Sequence, residues 1–324
     1  MALKTRLTER LGISHPIISA PMAIAAGGRL AAAVSAAGGL GLIGGGYCDS
    51  SWLAEQLQAA GNQIVGCGFI TWALRKQPHL LDQVLTHKPK AIFLSFGNPE
   101  KFVKPIKNAG ALLICQIQTL RDAQHAVNCG ADIVVAQGSE AGGHGEQRAT
   151  FTIVPEVADF IAAKSPETLL CAAGGIADGR GLAAALMLGA DGVVVGSRFW
   201  ASMEANVGPR MHAAALAATG DETIRSQVMD IVRKYDWPNR YNARVLKGRF
   251  IERWHGNETR LAGALDEEAE KYSKAWSEGD PEGCATFVGE AVGLIHSIEP
   301  AEAIVARFVR EAEARLRAGA HYRV

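Results

Sequence analysis

His144 is the residue best suited to proton chemistry, because it lies in the glycine-rich segment AQGSEAGGHGEQRAT at residues 136–150. Four glycines surround it, and Glu140 and Glu146 are close in sequence. An imidazole with an ordinary pKa of about 6.5 accepts a proton readily at neutral pH. An isolated histidine on such a segment is more often a surface residue, so its interpretation depends on what lies beside it.

Two glycine-containing segments have the composition of an anion site. AAGGIADG at 172–179 and GSRF at 196–199 each lead into a predicted helix, and both glycine amides and helix N-termini favour anions. The sequence predicts that four residues hold a phosphate group: Gly174, Gly175, Gly196 and Ser197. Arg198 is a further candidate for this phosphate, although a structural salt bridge is the more usual role. Because His144 should share a face with this anion site, we interpret it as an active-site base.

Other residues at predicted strand ends complete the rim of the site. The first apolar run ends in APMA at 20–23, where Met22 and Ala23 offer backbone groups and a soft apolar surface to a flat ring. Core packing is an equally ordinary role for Met22. Three further rim positions could meet the polar edge of a ring or a sugar-like chain: Gly68, Gln116 and Gln137. A bare sugar phosphate would fit the anion site too, but the carboxylate-poor rim favours an aromatic cofactor.

These residues follow a regular alternation of predicted strands and helices. Eight apolar runs predict strands at 17–20, 40–43, 64–69, 91–96, 111–116, 132–137, 168–173 and 192–197. Their continuous apolar character indicates burial on both faces, as in parallel sheets. Helices are predicted between them at 27–37, 50–60, 79–87, 99–108, 119–129, 153–164 and 178–188. Eight βα units predict an α/β fold, a (β/α)8 TIM barrel with its active site at the C-terminal strand ends. An open doubly wound sheet is the alternative.

The chain changes character after Phe199. Residues 205–284 are polar and rich in charge and tryptophan, without a strong strand signal, and predict a mainly helical insertion after strand eight. The barrel domain would then comprise 1–204 and 285–324. In the returning segment, one helical face is predicted from Val288, Val292, Ile295, Ile304, Phe308 and Leu316. Some aromatic residues could line a substrate cavity, although packing within the insertion is the more usual role: Trp72, Trp237, Trp254 and Tyr241.

Composition and charge argue against several classes of protein. Lys plus Arg and Asp plus Glu both total 33, so the formal net charge is zero and no basic surface for nucleic acid or an anionic membrane is indicated. The six cysteines form no CxxC pair, and no HxH or HExxH motif predicts a metal. The N-terminal residues lack the apolar core of a signal peptide, and prolines and glycines interrupt the apolar stretch 16–46. We therefore predict a cytoplasmic protein without a metal.

Four segments together resemble the nitronate monooxygenases, formerly called 2-nitropropane dioxygenases: HPIISAPMA, AQGSEAGGHGE, AAGGIADGRGLAAALMLGADGVVVGSRF and WPNRYNARV. The resemblance covers most of the chain and implies an FMN-binding barrel with an added, largely helical domain. It implies that His144 is the catalytic base and that FMN is held by Met22, Ala23, Gln116, Gln137, Gly143, Gly174, Gly175, Gly196 and Ser197. Two departures stand out: Gly68 replaces an asparagine of many relatives, and Ala141–Gly145 replaces the Cys-Ala-Gly-His-Pro of well-known bacterial relatives.

The resemblance implies oxidation of a nitronate or nitroalkane by O2, with His144 removing the acidic α-proton of a neutral nitroalkane. The predicted partners are these small molecules, and a homodimer is left open. One alternative is an NAD(P)H-dependent quinone or enoyl-ACP reductase, since flavin-dependent enoyl-ACP reductases have a similar Gly-Gly-His loop. A non-redox barrel such as an aldolase or isomerase is a third reading. It would normally need a lysine or paired carboxylates at strand ends, and none of the predicted strands ends in lysine.

Overall fold

The computed structural model describes residues 3–47 and 49–319 and contains a barrel of eight parallel strands. The barrel strands are β1 (Ile17–Ser19), β2 (Leu42–Gly44), β3 (Gly66–Ile70), β4 (Ala91–Ser95), β5 (Leu112–Ile117), β6 (Ile133–Gln137), β8 (Leu169–Ala173) and β9 (Gly192–Val195). They pair in the order β1-β9-β8-β6-β5-β4-β3-β2, and a parallel bridge between Ile18 and Leu40 joins the two ends. The predicted α/β barrel and all eight predicted strands are confirmed.

Seven barrel helices lie where the sequence predicts them, and two short ones, Thr71–Leu74 and Ser197–Trp200, were not predicted. They are α2 (Gly28–Ala36), α3 (Ser50–Ala59), α4 (Thr71–Leu74), α5 (His79–Leu85), α6 (Glu100–Asn108), α7 (Leu120–Asn128), α8 (Thr150–Lys164), α9 (Gly179–Met187) and α10 (Ser197–Trp200). Side-chain caps begin three of them, because Asp49, Thr119 and Asp178 each accept hydrogen bonds from first-turn amides. These three helices thus begin at residues whose side chains satisfy otherwise unpaired N–H groups.

Alternate residues of the barrel strands pack in two different cores. Inward-facing side chains such as Ile18, Phe93 and Val135 fill the barrel, where they meet Leu7 and Leu11 of the N-terminal helix α1 (Arg6–Leu11). Outward-facing side chains pack against the surrounding helices in a larger core. The apolar side chains of α1 help to fill the barrel interior. This leaves the C-terminal ends of the strands as the place where a ligand can bind.

A second region is built from five helices and a small antiparallel sheet. The helices are α11 (Pro209–Ala217), α12 (Val228–Val232), α13 (Arg249–Trp254), α14 (Glu258–Gly263) and α15 (Leu265–Ser277), and a 3-10 turn spans Gly220–Glu222. The sheet has the order β10-β11-β7, formed by β10 (Thr223–Ser226), β11 (Asn242–Leu246) and β7 (Gly143–Gly145). Segment 205–284 is mainly helical as predicted, but its two strands were missed.

The single helical face predicted from Val288 to Leu316 is wrong. Val288, Val292 and Ile295 pack in a separate core with the helices of the second region, and only a 3-10 turn, Glu290–Leu294, lies there. The final helix α16 (Ala301–Ala318) begins after Pro300 and packs on the barrel helices through residues including Phe308. Pro300 cannot donate the N–H that a continuous helix would need. Among the described residues, no helix combines the length and apolarity needed to cross a bilayer.

Candidate active site

A cavity of about 350 Å³ opens at the C-terminal ends of the barrel strands, where the second region covers the barrel. Its volume lies in the range of small-molecule and cofactor sites. The predicted base and the ten positions predicted to hold the cofactor all line this one cavity: His144, and Met22, Ala23, Gly68, Gln116, Gln137, Gly143, Gly174, Gly175, Gly196 and Ser197. Residues from six different strand ends therefore converge on a common space.

His144 is buried on a strand rather than exposed on a mobile loop, as the glycine-rich sequence had suggested. It is the central residue of β7 and lies opposite Ala243 of β11 in the antiparallel pair. Its exposure is 8%. Gln137 holds the same backbone from the other side, because its Nε2 donates to the carbonyl of His144 at 3.1 Å. The imidazole is thus fixed by a sheet that the second region completes.

Asp230 is the direct partner of His144, and the sequence did not point to it. The Nε2 atom of His144 lies 2.8 Å from Oδ2 of Asp230, a residue of α12 that is 4% exposed. The other carboxylate oxygen, Oδ1, accepts from Nη2 of Arg233 at 2.7 Å. Because 86 residues separate the histidine from the aspartate, no local motif could have revealed the pair.

Burial is the main influence on the basicity of His144. Desolvation lowers the pKa of His144 below its ordinary value of about 6.5, since the charged imidazolium loses water. The hydrogen bond and negative charge of Asp230 act in the opposite direction, while the cations Arg233 and Arg225 lower the pKa further. The net result is an imidazole that stays neutral, and so able to accept a proton, at neutral pH.

Aromatic side chains enclose the imidazole. The indole of Trp237 stacks on it with ring centroids 3.5 Å apart and an interplanar angle of 5°. Trp237 Nε1 in turn donates to the hydroxyl of Tyr47 at 3.2 Å, and Phe96 meets the indole edge-on at 5.0 Å. Trp237 therefore lines the cavity, whereas Trp254 packs in the core of the second region and donates to Glu268.

At one end of the cavity, the glycine loops after β8 and β9 present their backbone amides. Gly174 and Gly175 have φ values of +99° and +72°, which only glycine adopts readily, and within the described residues no acceptor is paired with the amides of Gly175 and Ser197. The first-turn amides of α9 are already used, because Asp178 accepts from Gly181 and Glu311 accepts from Gly179. The prediction that this helix start favours an anion is therefore wrong.

The remaining candidates divide between cavity and scaffold. Gln137 accepts from Nε2 of both Gln116 and Gln118 at 3.0 and 2.7 Å, so its amide mainly orders the wall. A Cβ atom on Gly68 would lie 2.4 Å from the ring of Pro21, which explains why a larger residue cannot stand there without a shift. Arg198 is buried and pairs with Glu299 at 2.7 Å, so it has the structural role rather than a phosphate contact.

Known proteins resemble this chain both in sequence and in structure. The sequence model of the nitronate monooxygenase family matches residues 4–69 and 70–311. A nitronate monooxygenase of Neurospora crassa is 33% identical over 93% of this chain and 90% of its own length. The nitronate monooxygenase npaC of Metarhizium robertsii is 36% identical over 89% and 88%. The solved structure of FabK from Thermotoga maritima has a TM-score of 0.86 and 31% identity, with 99% of both chains covered.

Proposed function

Because the chain belongs to the nitronate monooxygenase family, a family of oxidoreductases, we propose that it is an FMN-dependent nitronate monooxygenase. It would use O2 to convert alkyl nitronates and nitroalkanes into a carbonyl product and nitrite. His144 would be the general base for neutral nitroalkanes. The observation that carries this proposal is the buried imidazole, whose pKa burial lowers, in the same cavity as loop amides that have no acceptor among the described residues.

The residues present fit FMN. The amides of Gly175 and Ser197 offer donors to a phosphate, and the positive φ of Gly143 keeps the wall beside His144 free of a side chain. Among the cavity residues, Glu140 is the acidic one, and its carboxylate accepts from the amide and hydroxyl of Thr150 at 3.0 and 2.9 Å. Little negative charge therefore opposes a bound phosphate. When bound, FMN supplies the electron transfer and the reaction with O2.

The protein's own part is to bind the substrate, exclude water and move one proton. A neutral nitroalkane loses its α-proton to the imidazole of His144, which leaves the substrate as the nitronate anion. The closed aromatic wall around His144 keeps water from competing for this proton. A substrate that arrives already ionised needs orientation only. His144 is therefore required more strongly for nitroethane than for ethyl nitronate.

The test is His144→Ala, compared with the exposed His87→Ala as a matched control. Turnover of neutral nitroethane should fall by about 10²–10⁴-fold, the usual contribution of a general base. FMN should stay bound, turnover of ethyl nitronate should fall far less, and His87→Ala should behave as the wild type. If His144→Ala keeps its flavin and turns over nitroethane at the wild-type rate, the base assignment fails.

A second candidate is an NAD(P)H-dependent quinone or enoyl-ACP reductase on the same barrel. The likeness to FabK over 99% of the chain favours it as the alternative. The two functions differ in the electron donor, which is the nitronate itself in the first and NAD(P)H in the second. Three further statements belong to the main proposal of a nitronate monooxygenase. We propose a cytoplasmic location and a homodimer. We also propose a barrel domain of 1–204 with 285–324 and an insertion of 205–284.

A further inference from the structure

We propose that Asp230 is a positioning residue that keeps the proton of neutral His144 on Nε2, so that Nδ1 is the atom that accepts the substrate proton. This inference rests on the proposed function for its kinetic consequences. Its structural content, the position of one proton on one imidazole, can be measured without any substrate. Asp230 and its partner Arg233 would thus give the base a defined direction.

The hydrogen bond between His144 and Asp230 has a direction that Arg233 determines. The guanidinium of Arg233 is permanently charged and donates to Oδ1 of Asp230 at 2.7 Å. Beside this cation, the carboxylate acts as an acceptor at both oxygens. The contact of 2.8 Å between Oδ2 and the imidazole must then be donated by Nε2–H of His144. A neutral imidazole carries one N–H, so Nδ1 is left with a free lone pair.

The Nδ1 atom of His144 has no hydrogen-bond partner among the described residues. Among residues 3–47 and 49–319, no side chain or backbone group is paired with Nδ1 of His144, and the atom is not among the enclosed, unpaired polar atoms. His144 lines the cavity. A lone pair that is unpaired yet accessible at the wall of the cavity is where a substrate C–H group can deliver its proton.

The His144 ring cannot readily rotate by 180° to exchange the positions of its two nitrogens. Trp237 lies flat against one face at 3.5 Å, and the backbone of His144 is held by β11 and by Gln137. Rotation would break the hydrogen bond to Asp230 and leave a buried carboxylate short of one donor, which is costly for a charged group. The imidazole therefore keeps one orientation.

Charge around the ring gives Asp230 a second effect. Burial has the largest effect on the pKa of His144 and lowers it. Of the charged groups that face the ring, Asp230 raises this pKa, whereas Arg233 and Arg225 lower it. When the α-proton reaches Nδ1, the imidazolium that forms is stabilised by Asp230 through Nε2–H. Without the carboxylate, burial and two cations would act unopposed, and the base would be weaker. One proton moves from carbon to Nδ1 and later to solvent, and the electron pair of the broken C–H bond stays on the substrate as the nitronate.

The direct test is nitrogen-15 NMR of the FMN-loaded protein labelled at histidine, with His144→Ala used to assign the His144 signals. We expect neutral His144 to carry its proton on Nε2 and to titrate below pH ~6.5, the ordinary value. In Asp230→Asn, the titration should move to still lower pH. A proton on Nδ1 in the wild type would overturn the proposal. So would an unchanged His144 titration in Asp230→Asn.

Kinetics supply the independent test, with Asp266→Asn as the matched control because Asp266 also pairs with a cation but is 93% exposed. In Asp230→Asn, kcat for nitroethane should fall by about 10²–10⁴-fold, as expected when the orienting partner of a catalytic histidine is changed, with little change in KM. Ethyl nitronate, already ionised, should be turned over within about 3-fold of wild type. Asp266→Asn should leave both substrates unaffected. Equal losses with both substrates would show a merely structural role.

The outcomes separate this inference from the proposed function. If the wild type turns over neither nitro substrate, the proposed function is wrong, and the NMR result still decides the position of the proton. If Asp230→Asn does not fold, the wild-type NMR spectrum remains decisive by itself. If nitroethane turnover depends on His144 but the proton lies on Nδ1, the proposed function stands and the role of Asp230 falls.

Discussion

His144 shows how much a single residue depends on partners that are distant in sequence. Its glycine-rich surroundings and the glycines after β8 and β9 were visible in the sequence, and the structure brings them to one cavity. Its partner Asp230 was not visible, because VMDIVRK contains nothing that distinguishes a buried carboxylate from an ordinary helix residue. The burial that lowers the pKa of His144 is likewise a tertiary effect. Residue types could be predicted, but their electrostatic coupling could not.

A prediction at the residue scale concerns the loop amide of Gly175. Gly175→Ala should weaken FMN binding by at least about 10-fold. A hydrogen bond from a backbone amide to a charged phosphate contributes roughly 1.5–3 kcal/mol, and the added methyl group would disturb it. The control is Gly61→Ala, since Gly61 has a similar φ of +60° but lies outside the cavity, so the backbone strain is matched. Fluorescence titration of the apoprotein with FMN measures both. Equal losses of affinity in the two variants would mean that Gly175 has no part in binding the phosphate.

At the scale of elements, the small sheet couples the second region to the base. β11 pairs with β7, and two arginines of the sheet, Arg225 and Arg244, both donate to the carbonyl of Ser139 at 3.0 and 2.9 Å. The segment that carries His144 is therefore held at its start by two guanidinium groups and at its middle by a strand. Movement of the sheet would displace the imidazole directly.

The matching prediction is that Arg225→Met lowers kcat for nitroethane by roughly 10-fold, because a base displaced by a fraction of an ångström reacts poorly. FMN affinity should change little, since Arg225 contacts Asn242 and Ser139 and not the glycine loops after β8 and β9. Arg210→Met, which removes an exposed ion pair with Asp280, is the control and should leave kcat unaltered. Steady-state kinetics and flavin titration measure both properties. A normal kcat in Arg225→Met would show that the sheet does not position the base.

The elements themselves were unequally predictable. Barrel strands such as IVVAQ in β6 are short runs of continuous apolar residues, a pattern that burial on both faces enforces. β10 and β11, with the sequences TIRS and NARVL, were missed because they are short and contain arginines that face the His144 segment. Their strand conformation depends on pairing with β7, which is distant along the chain. The helical periodicity after Val288 led to the wrong prediction of a single helical face. Pro300 interrupts the segment, and its two halves pack in separate cores.

At the scale of the whole molecule, the barrel and the second region contribute different parts of the site. The barrel supplies the strand ends that surround the cavity, and the second region supplies Asp230 and Trp237, which contact His144. The family and the barrel could be predicted from the sequence, because the strand pattern and the glycine motifs are local. The way in which the second region closes the site could not, since it depends on contacts between segments about 90 residues apart.

The measurement that most directly tests the central claim is anaerobic mixing of the FMN-loaded protein with propionate 3-nitronate and, separately, with NADH, followed by flavin absorbance. A nitronate monooxygenase should lose its oxidised flavin spectrum rapidly with the nitronate and only slowly with micromolar NADH. Readmission of O2 should restore the spectrum. Rapid bleaching by NADH together with no response to the nitronate would contradict the account and favour the reductase. A protein that takes up no FMN at all would contradict both.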